Sequence, residues 1–156
     1  MIRESNCWLA VAAGQVLICL AVTSCPVHAR EDLWLSITTR SYHADRDAHF
    51  NERNWGIGVE YGLAPEWRAI AGTFENSVFR RSNYAGVHWT PWQFGDWRLG
   101  GIAGLVNGYP GYQYKYGPIL APVLSWERGR IGVNLIGLPP FGEVAAVVAL
   151  QVKVRF

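Results

Sequence analysis

From Leu33 onward the chain alternates. Leu33, Leu35 and Ile37 are separated by Trp34, Ser36 and Thr38, and Trp55, Ile57, Val59 and Tyr61 by Gly56, Gly58, Glu60 and Gly62. Strand side chains point to opposite faces in turn, so each run has one apolar face and one polar or small face. Six further runs follow, giving strands near 33–42, 55–62, 67–74, 84–92, 97–105, 117–126, 130–138 and 144–156. Turn residues punctuate them: Ala64-Pro65-Glu66, Phe94-Gly95-Asp96, Glu127-Arg128-Gly129 and Pro139-Pro140.

The last run sets the fold class. Val148, Leu150, Val152, Val154 and Phe156 share a face, opposed by Gln151, Lys153 and Arg155, and the sequence stops on the aromatic. A large apolar face against a charged one suits a wall with lipid outside and a polar lumen inside. The connections after the second, fourth and sixth runs are short, while those after the first, third and fifth are longer. That is the rhythm of an up-and-down barrel with both chain ends at the short-turn rim. The expected fold is all-β: an eight-stranded antiparallel up-and-down transmembrane β-barrel after a cleaved signal peptide. A lipocalin-like soluble barrel would also alternate, with apolar residues inward and more charge outside.

Composition agrees with the membrane version. Half of the 156 residues are hydrophobic and 17% are charged, with eight Trp, seven Tyr and seventeen Gly. A net charge of +2 without a basic run gives no reason to expect nucleic acid.

Residues 8–24 form an apolar stretch behind Arg3, and Val27-His28-Ala29 supplies the small residues a signal peptidase reads. The expected division is a signal peptide over 1–29 and a barrel over 30–156. Two alternatives remain: a transmembrane anchor at the short limit of length, and a lipoprotein box, Val22-Thr23-Ser24-Cys25. Cys7, Cys19 and Cys25 all lie in this leader, so cleavage after Ala29 leaves no disulfide and no thiolate for catalysis or metal.

The chemistry gathers between the first two strands. Residues 41–56 hold His43, His49, Asp45, Asp47, Glu52 and arginines, a mixture that a solvated loop of mutually paired charges would also show. Two His beside carboxylates could bind metal, but no helical spacing or second ligand cluster supports it, so no metal and no cofactor are expected.

The stretch Phe50-Asn-Glu-Arg-Asn-Trp-Gly56, preceded by His43, resembles the lipid A palmitoyltransferases, the PagP family, whose first strand ends in His and is followed by Tyr-Asn-Glu-Arg-Pro-Trp-Gly. The segment from Phe74 to Trp89 is similar to the family's stretch around its Asp-Ser pair. Pro118 to Pro122, Leu138-Pro139 and the closing Arg155-Phe156 match its later marks in order. The likeness spans essentially the whole barrel, with low identity between the patches.

The resemblance implies a bacterial outer-membrane enzyme that moves a palmitoyl chain from a phospholipid to lipid A. Its catalytic positions fall on His43 as general base, Ser77 as hydroxyl partner and Asn76 where the family has Asp. An imidazole can take a hydroxyl proton at neutral pH, with Ser77 as nucleophile, as orienting group or as oxyanion donor. Asn76 carries no charge; Asp45 or Glu75 could orient the imidazole in its place, though nothing in the sequence shows that either does. The family's amphipathic helix before its first strand has no counterpart here. The resemblance also suggests that the prolines mark a lateral opening for lipid, while plain wall bulges explain them equally well. Inward glycines at 56, 58, 72, 86, 100 and 104 would give an acyl chain room. The alternative is a non-catalytic small barrel with a lipid-binding or envelope-integrity role. A monomer is expected.

Overall fold

The computed structural model describes residues 32–45, 47, 49–110, 115–140 and 146–156; the expected signal peptide over 1–29, with Cys7, Cys19 and Cys25, lies outside them. Eight strands follow in order: β1 (Leu33–His43), β2 (Gly56–Ala64), β3 (Trp67–Glu75), β4 (Arg81–Phe94), β5 (Trp97–Asn107), β6 (Tyr116–Arg128), β7 (Ile131–Leu138) and β8 (Val147–Arg155). Each pairs antiparallel with the next, and β8 closes on β1, so the sheet is a barrel without edges.

Strands β4 and β5 run beyond their expected bounds. Their hairpin is zipped down to Phe94↔Trp97, and a register shift between Trp89 and Trp92 accommodates Pro91, which lacks an N–H. The two-residue connections at 65–66, 95–96 and 129–130 share one rim. Both ends of the barrel chain lie there too: the Phe156 amide donates to Leu33 O at 3.0 Å, and Arg155 N donates to Arg130 O at 2.9 Å.

The outer wall is apolar. Ile37, Ile57, Val59, Leu99, Leu105, Leu120, Leu135, Val148, Val152 and Val154 are all exposed on it. Gln151 and Lys153 are buried in the lumen, which is the face expected for each. Tyr61, Trp67, Trp89, Trp92, Phe94 and Trp97 are exposed toward the short-turn rim, with the Trp67 and Trp89 rings stacked at 5.6 Å. Flat rings with a polar edge suit the boundary between hydrocarbon and headgroups.

The lumen is layered. Toward the short-turn rim, Lys153 Nζ lies 2.8 Å from Glu60 Oε2 and 2.8 Å from Glu127 Oε1. Arg68 bonds Glu127 and lies 2.9 Å from Asp32, and Arg98 lies 3.4 Å from Glu127. Three acids thus face three cations, and Trp34, buried against Arg68 and Lys153, plugs the layer. Moving away from that rim, the inward residue changes from Arg68 to Ile70, from Ser125 to Val123 and from Asn134 to Ile136. There Ile70, Ile102 and Val123 pack with Tyr84 and Ile136. The lumen is charged near the short turns, carries this apolar cluster above them, and is polar again at the long-loop end, where His43, Asn51, Asn54, Asn76 and Ser82 are buried.

Candidate functional site

His43 owes its direction to one extra residue in β1. Trp34, Ser36 and Thr38 point inward, and unbroken alternation would send His43 outward with Leu33, Leu35 and Ile37. Against β8, however, Thr38 pairs with Gln151 and Arg40 with Leu150, so three residues of β1 span two of β8. This bulge at Thr39 reverses the parity: Ser41 and His43 are buried in the lumen, and Arg40 and Tyr42 face out.

Strand β1 then rises beyond its pairing with β2, which ends at Thr38↔Gly56. The returning arm of the first long loop, residues 50–55, fills the place β2 leaves. Ser41 N donates to Glu52 O at 3.1 Å, Asn51 N to Ser77 O at 2.9 Å and Glu75 N to Trp55 O at 3.0 Å. The Asn54 amide donates to Asn51 O and Glu75 O, and its oxygen bonds the Ser41 hydroxyl. The Asn51 amide donates to Glu75 Oε1 and Asn76 O, each at 3.2 Å. Asn51 and Asn54 are both buried, so the Asn residues of the 50–56 stretch act as staples between β1 and the turn after β3. Their role was hidden in the sequence, where polar loop residues look solvated.

That arm brings the expected pair together. A 2.8 Å hydrogen bond joins His43 Nε2 and Ser77 Oγ, across the strand between them. Phe50 stacks on the imidazole with ring centroids 4.7 Å apart. His43 is only 2% exposed, while Ser77 keeps partial access. The geometry suits proton transfer between a hydroxyl and an imidazole. Glu52 Oε1 sits 3.4 Å from the His43 backbone amide.

Asn76 has a different task from the acid expected at its position. Its oxygen accepts from Val78 N at 3.0 Å and Arg80 N at 2.9 Å, and its amide donates to Ser82 Oγ and Gly108 O, each at 3.0 Å. Every hydrogen-bonding position of the fully buried side chain is used, so it ties down the 76–80 turn that carries Ser77. Of the acids weighed as substitutes, Asp45 accepts from Asp47 N and Glu75 from Asn51.

The expected room for an acyl chain is partly taken. A Cβ on Gly58 or Gly72 would meet the Tyr84 hydroxyl, at 2.2 and 2.6 Å, so that phenol occupies the space these glycines leave. Gly86 and Gly104 are needed for another reason: a Cβ on either would lie within 3 Å of the other's strand backbone.

The wall itself is unevenly sewn. The β6·β7 ladder runs from Arg128↔Ile131 to Val123↔Ile136 and stops, and the next β6 residue is Pro122. Beyond it β6 pairs with β5 as far as Tyr116, and β7 pairs with β8 as far as Leu138.

No family model and no curated protein matches the chain by sequence. Among solved structures it is similar to the de novo designed TMB2.3, with a TM-score of 0.62, 12% identity, and coverage of 83% of this chain and 98% of that one. It is also similar to the Yersinia pestis outer membrane protein Ail in a phospholipid bilayer nanodisc, with a TM-score of 0.52, 11% identity, and coverage of 81% and 100%. These likenesses establish a small outer-membrane-type barrel as the fold.

Proposed function

We propose that the chain is a bacterial outer-membrane acyltransferase of the lipid A palmitoyltransferase type, moving an acyl chain from a phospholipid to a hydroxyl of lipid A. The observation that carries this reading is the 2.8 Å hydrogen bond between His43 Nε2 and Ser77 Oγ at the long-loop rim. In this scheme His43 takes the proton of the attacking hydroxyl, on Ser77 or on the acceptor sugar. The donor ester carbon passes from its glycerol oxygen to that hydroxyl oxygen, and the glycerol oxygen leaves with the proton as lysophospholipid; where Ser77 is the first acceptor, the sugar hydroxyl then gives its proton to His43 and takes the acyl carbon, and Ser77 Oγ leaves with that proton. Two features support it further. The apolar layer of Ile70, Ile102, Val123 and Ile136 is chemically suited to a hydrocarbon chain. The missing β6·β7 pairing beyond Val123 weakens the wall on the same side as the long loops.

The non-catalytic reading, a barrel that binds lipid or serves envelope integrity, draws on the Tyr84 phenol in the glycine space and on the burial of His43 under Phe50. The deciding experiment incubates purified protein with phospholipid labelled in its palmitoyl chain and with lipid A, then reads the acceptor by mass spectrometry. A gain of one palmitoyl mass on lipid A supports transfer. An unmodified acceptor with folded protein leaves the non-catalytic barrel.

A further inference from the structure

The connections of the short-turn rim differ in charge. The first carries Glu66 and the second Asp96, whereas the third is Gly129-Arg130, with Arg128 at the end of β6. Arg155 joins them at the end of β8, where its amide donates to Arg130 O at 2.9 Å. Arg128, Arg130 and Arg155 are all exposed. Among the described residues no carboxylate pairs with Arg128 or Arg130, because Glu127 turns inward to Arg68, Arg98 and Lys153. Beneath this basic turn the outer wall is hollowed. A groove of about 250 Å³ is lined by Trp97, Leu124, Trp126, Val133 and Leu135. The register accounts for it: Trp97, Trp126 and Val133 form one row across β5, β6 and β7, and Leu99, Leu124 and Leu135 form another. Val133 is far shorter than the two indoles in its row, which leaves the hollow. Arg128, on the same face of β6 two residues beyond Trp126, pairs with Ile131 at the rim.

We infer that this sector holds one phosphatidylglycerol of the periplasmic leaflet, its phosphate at Arg128 and Arg130 and an acyl chain in the groove. From Leu124 to Arg128 is four residues, roughly 13 Å along the strand, so chain groove and headgroup site lie on one line down β6. Guanidinium groups grip phosphate oxygens through paired N–H donors. Tryptophans suit the glycerol and ester level between hydrocarbon and phosphate. Charge selects the headgroup. An ethanolamine ammonium would meet three arginines against one neighbouring acid, Asp96, whose carbonyl accepts from Glu127 N at 2.8 Å. The glycerol of phosphatidylglycerol brings hydroxyls and no cation, so its phosphate keeps the full attraction. The other two short turns carry acids and repel the same lipid, which confines the site to the β6–β7 sector. The inference rests on the outer-membrane placement with short turns toward the periplasm, and not on acyl transfer, whose residues lie at the opposite rim.

The test places the full barrel in phosphatidylcholine nanodiscs with equal amounts of phosphatidylglycerol and phosphatidylethanolamine of identical acyl chains, and counts retained lipid by native mass spectrometry. Wild-type protein keeps phosphatidylglycerol at least about tenfold better, as two basic side chains facing one extra negative charge imply. Arg128→Gln with Arg130→Gln removes that preference. Val133→Trp, which fills the groove without changing charge, lowers retention of both lipids. Arg80→Gln with Arg81→Gln, an equal charge change at the opposite rim, leaves the preference intact. Heat-dependent gel migration verifies the folded barrel in every variant. Equal retention of the two lipids by wild type, an unchanged preference in folded Arg128→Gln/Arg130→Gln protein, or the same loss in Arg80→Gln/Arg81→Gln protein overturns the inference. So does a dimer of the chain in place of bound lipid, which would make the groove an interface between copies.

Discussion

Lys153 Nζ lies 2.8 Å from Glu60 Oε2, with the Lys153 side chain fully buried and that of Glu60 3% exposed. The two residues come from β8 and β2, the strands flanking β1, and meet across the lumen beside Trp34. Breaking a buried pair from one side leaves a charge without its partner, a loss of about 3–5 kcal/mol. Lys153→Met is expected to destabilise the barrel by roughly that amount in urea unfolding from lipid vesicles. Adding Glu60→Gln restores part of it, because Asp32 and Glu127 then face Arg68 and Arg98 in equal number. Identical midpoints for wild type and Lys153→Met would mean that the layer is hydrated.

The outer face makes the opposite demand. Val152 is 37% exposed on the apolar wall, between buried Gln151 and Lys153. An arginine in its place costs about 2–4 kcal/mol at mid-bilayer and less near a rim. Folding in vesicles that is indifferent to Val152→Arg would assign this wall to water.

Asn76 separates two accounts of the site. If it merely stood in for a missing acid, Asn76→Asp would raise activity. The four bonds it makes argue the reverse. An aspartate keeps the acceptor for Val78 N and Arg80 N but turns its second oxygen toward Gly108 O, while Ser82 Oγ already donates to Asn107 O at 2.6 Å. Acceptor then meets acceptor in a buried place, and the turn loses about 1–3 kcal/mol. Asn76→Asp is expected to lower both the unfolding midpoint and any transfer activity. From the sequence, Asn76 offered only an uncharged side chain where the resembled family has Asp.

The strands were legible because period-two alternation and Gly or Pro turns are local signals, and the apolar row from Val148 to Phe156 falls where it predicts. Alternation also put Glu60 and Lys153 on lumen faces, but only closure of β8 on β1 brings them together. The site was half legible. His43 and Ser77 could be named from the family likeness, yet counting alternate residues from Leu33 gives His43 the wrong face. The Thr39 bulge that corrects it leaves no mark in residue types. Asn51 and Asn54 were hidden for a related reason: whether a polar loop residue is solvated or buried depends on the turn it folds against, which lies more than twenty residues away.

The hydrogen-bonded pair of His43 and Ser77 gives the last prediction. If His43 accepts the proton of the attacking hydroxyl, His43→Ala removes the base, and palmitoyl transfer to lipid A should fall to background. Ser77→Ala should lower it at least about tenfold, the lower part of the range for a group assisting proton transfer. Its loss goes further if Ser77 is itself the acylated nucleophile. The fold should tolerate both, since the staples from Asn51 to Ser77 O and Asn76 O use backbone carbonyls that an alanine at 77 preserves. A trapped palmitoyl ester on Ser77, sought by mass spectrometry after rapid quenching, distinguishes an attacking serine from an orienting one. Phe50→Ala supplies a second reading of the same geometry. It uncovers an imidazole that lies 4.7 Å beneath the ring, so transfer should rise if loop movement limits access and fall if the stacked ring holds His43 in place. Folded Ser77→Ala and His43→Ala proteins that both transfer palmitate at the wild-type rate would remove the pair from the mechanism.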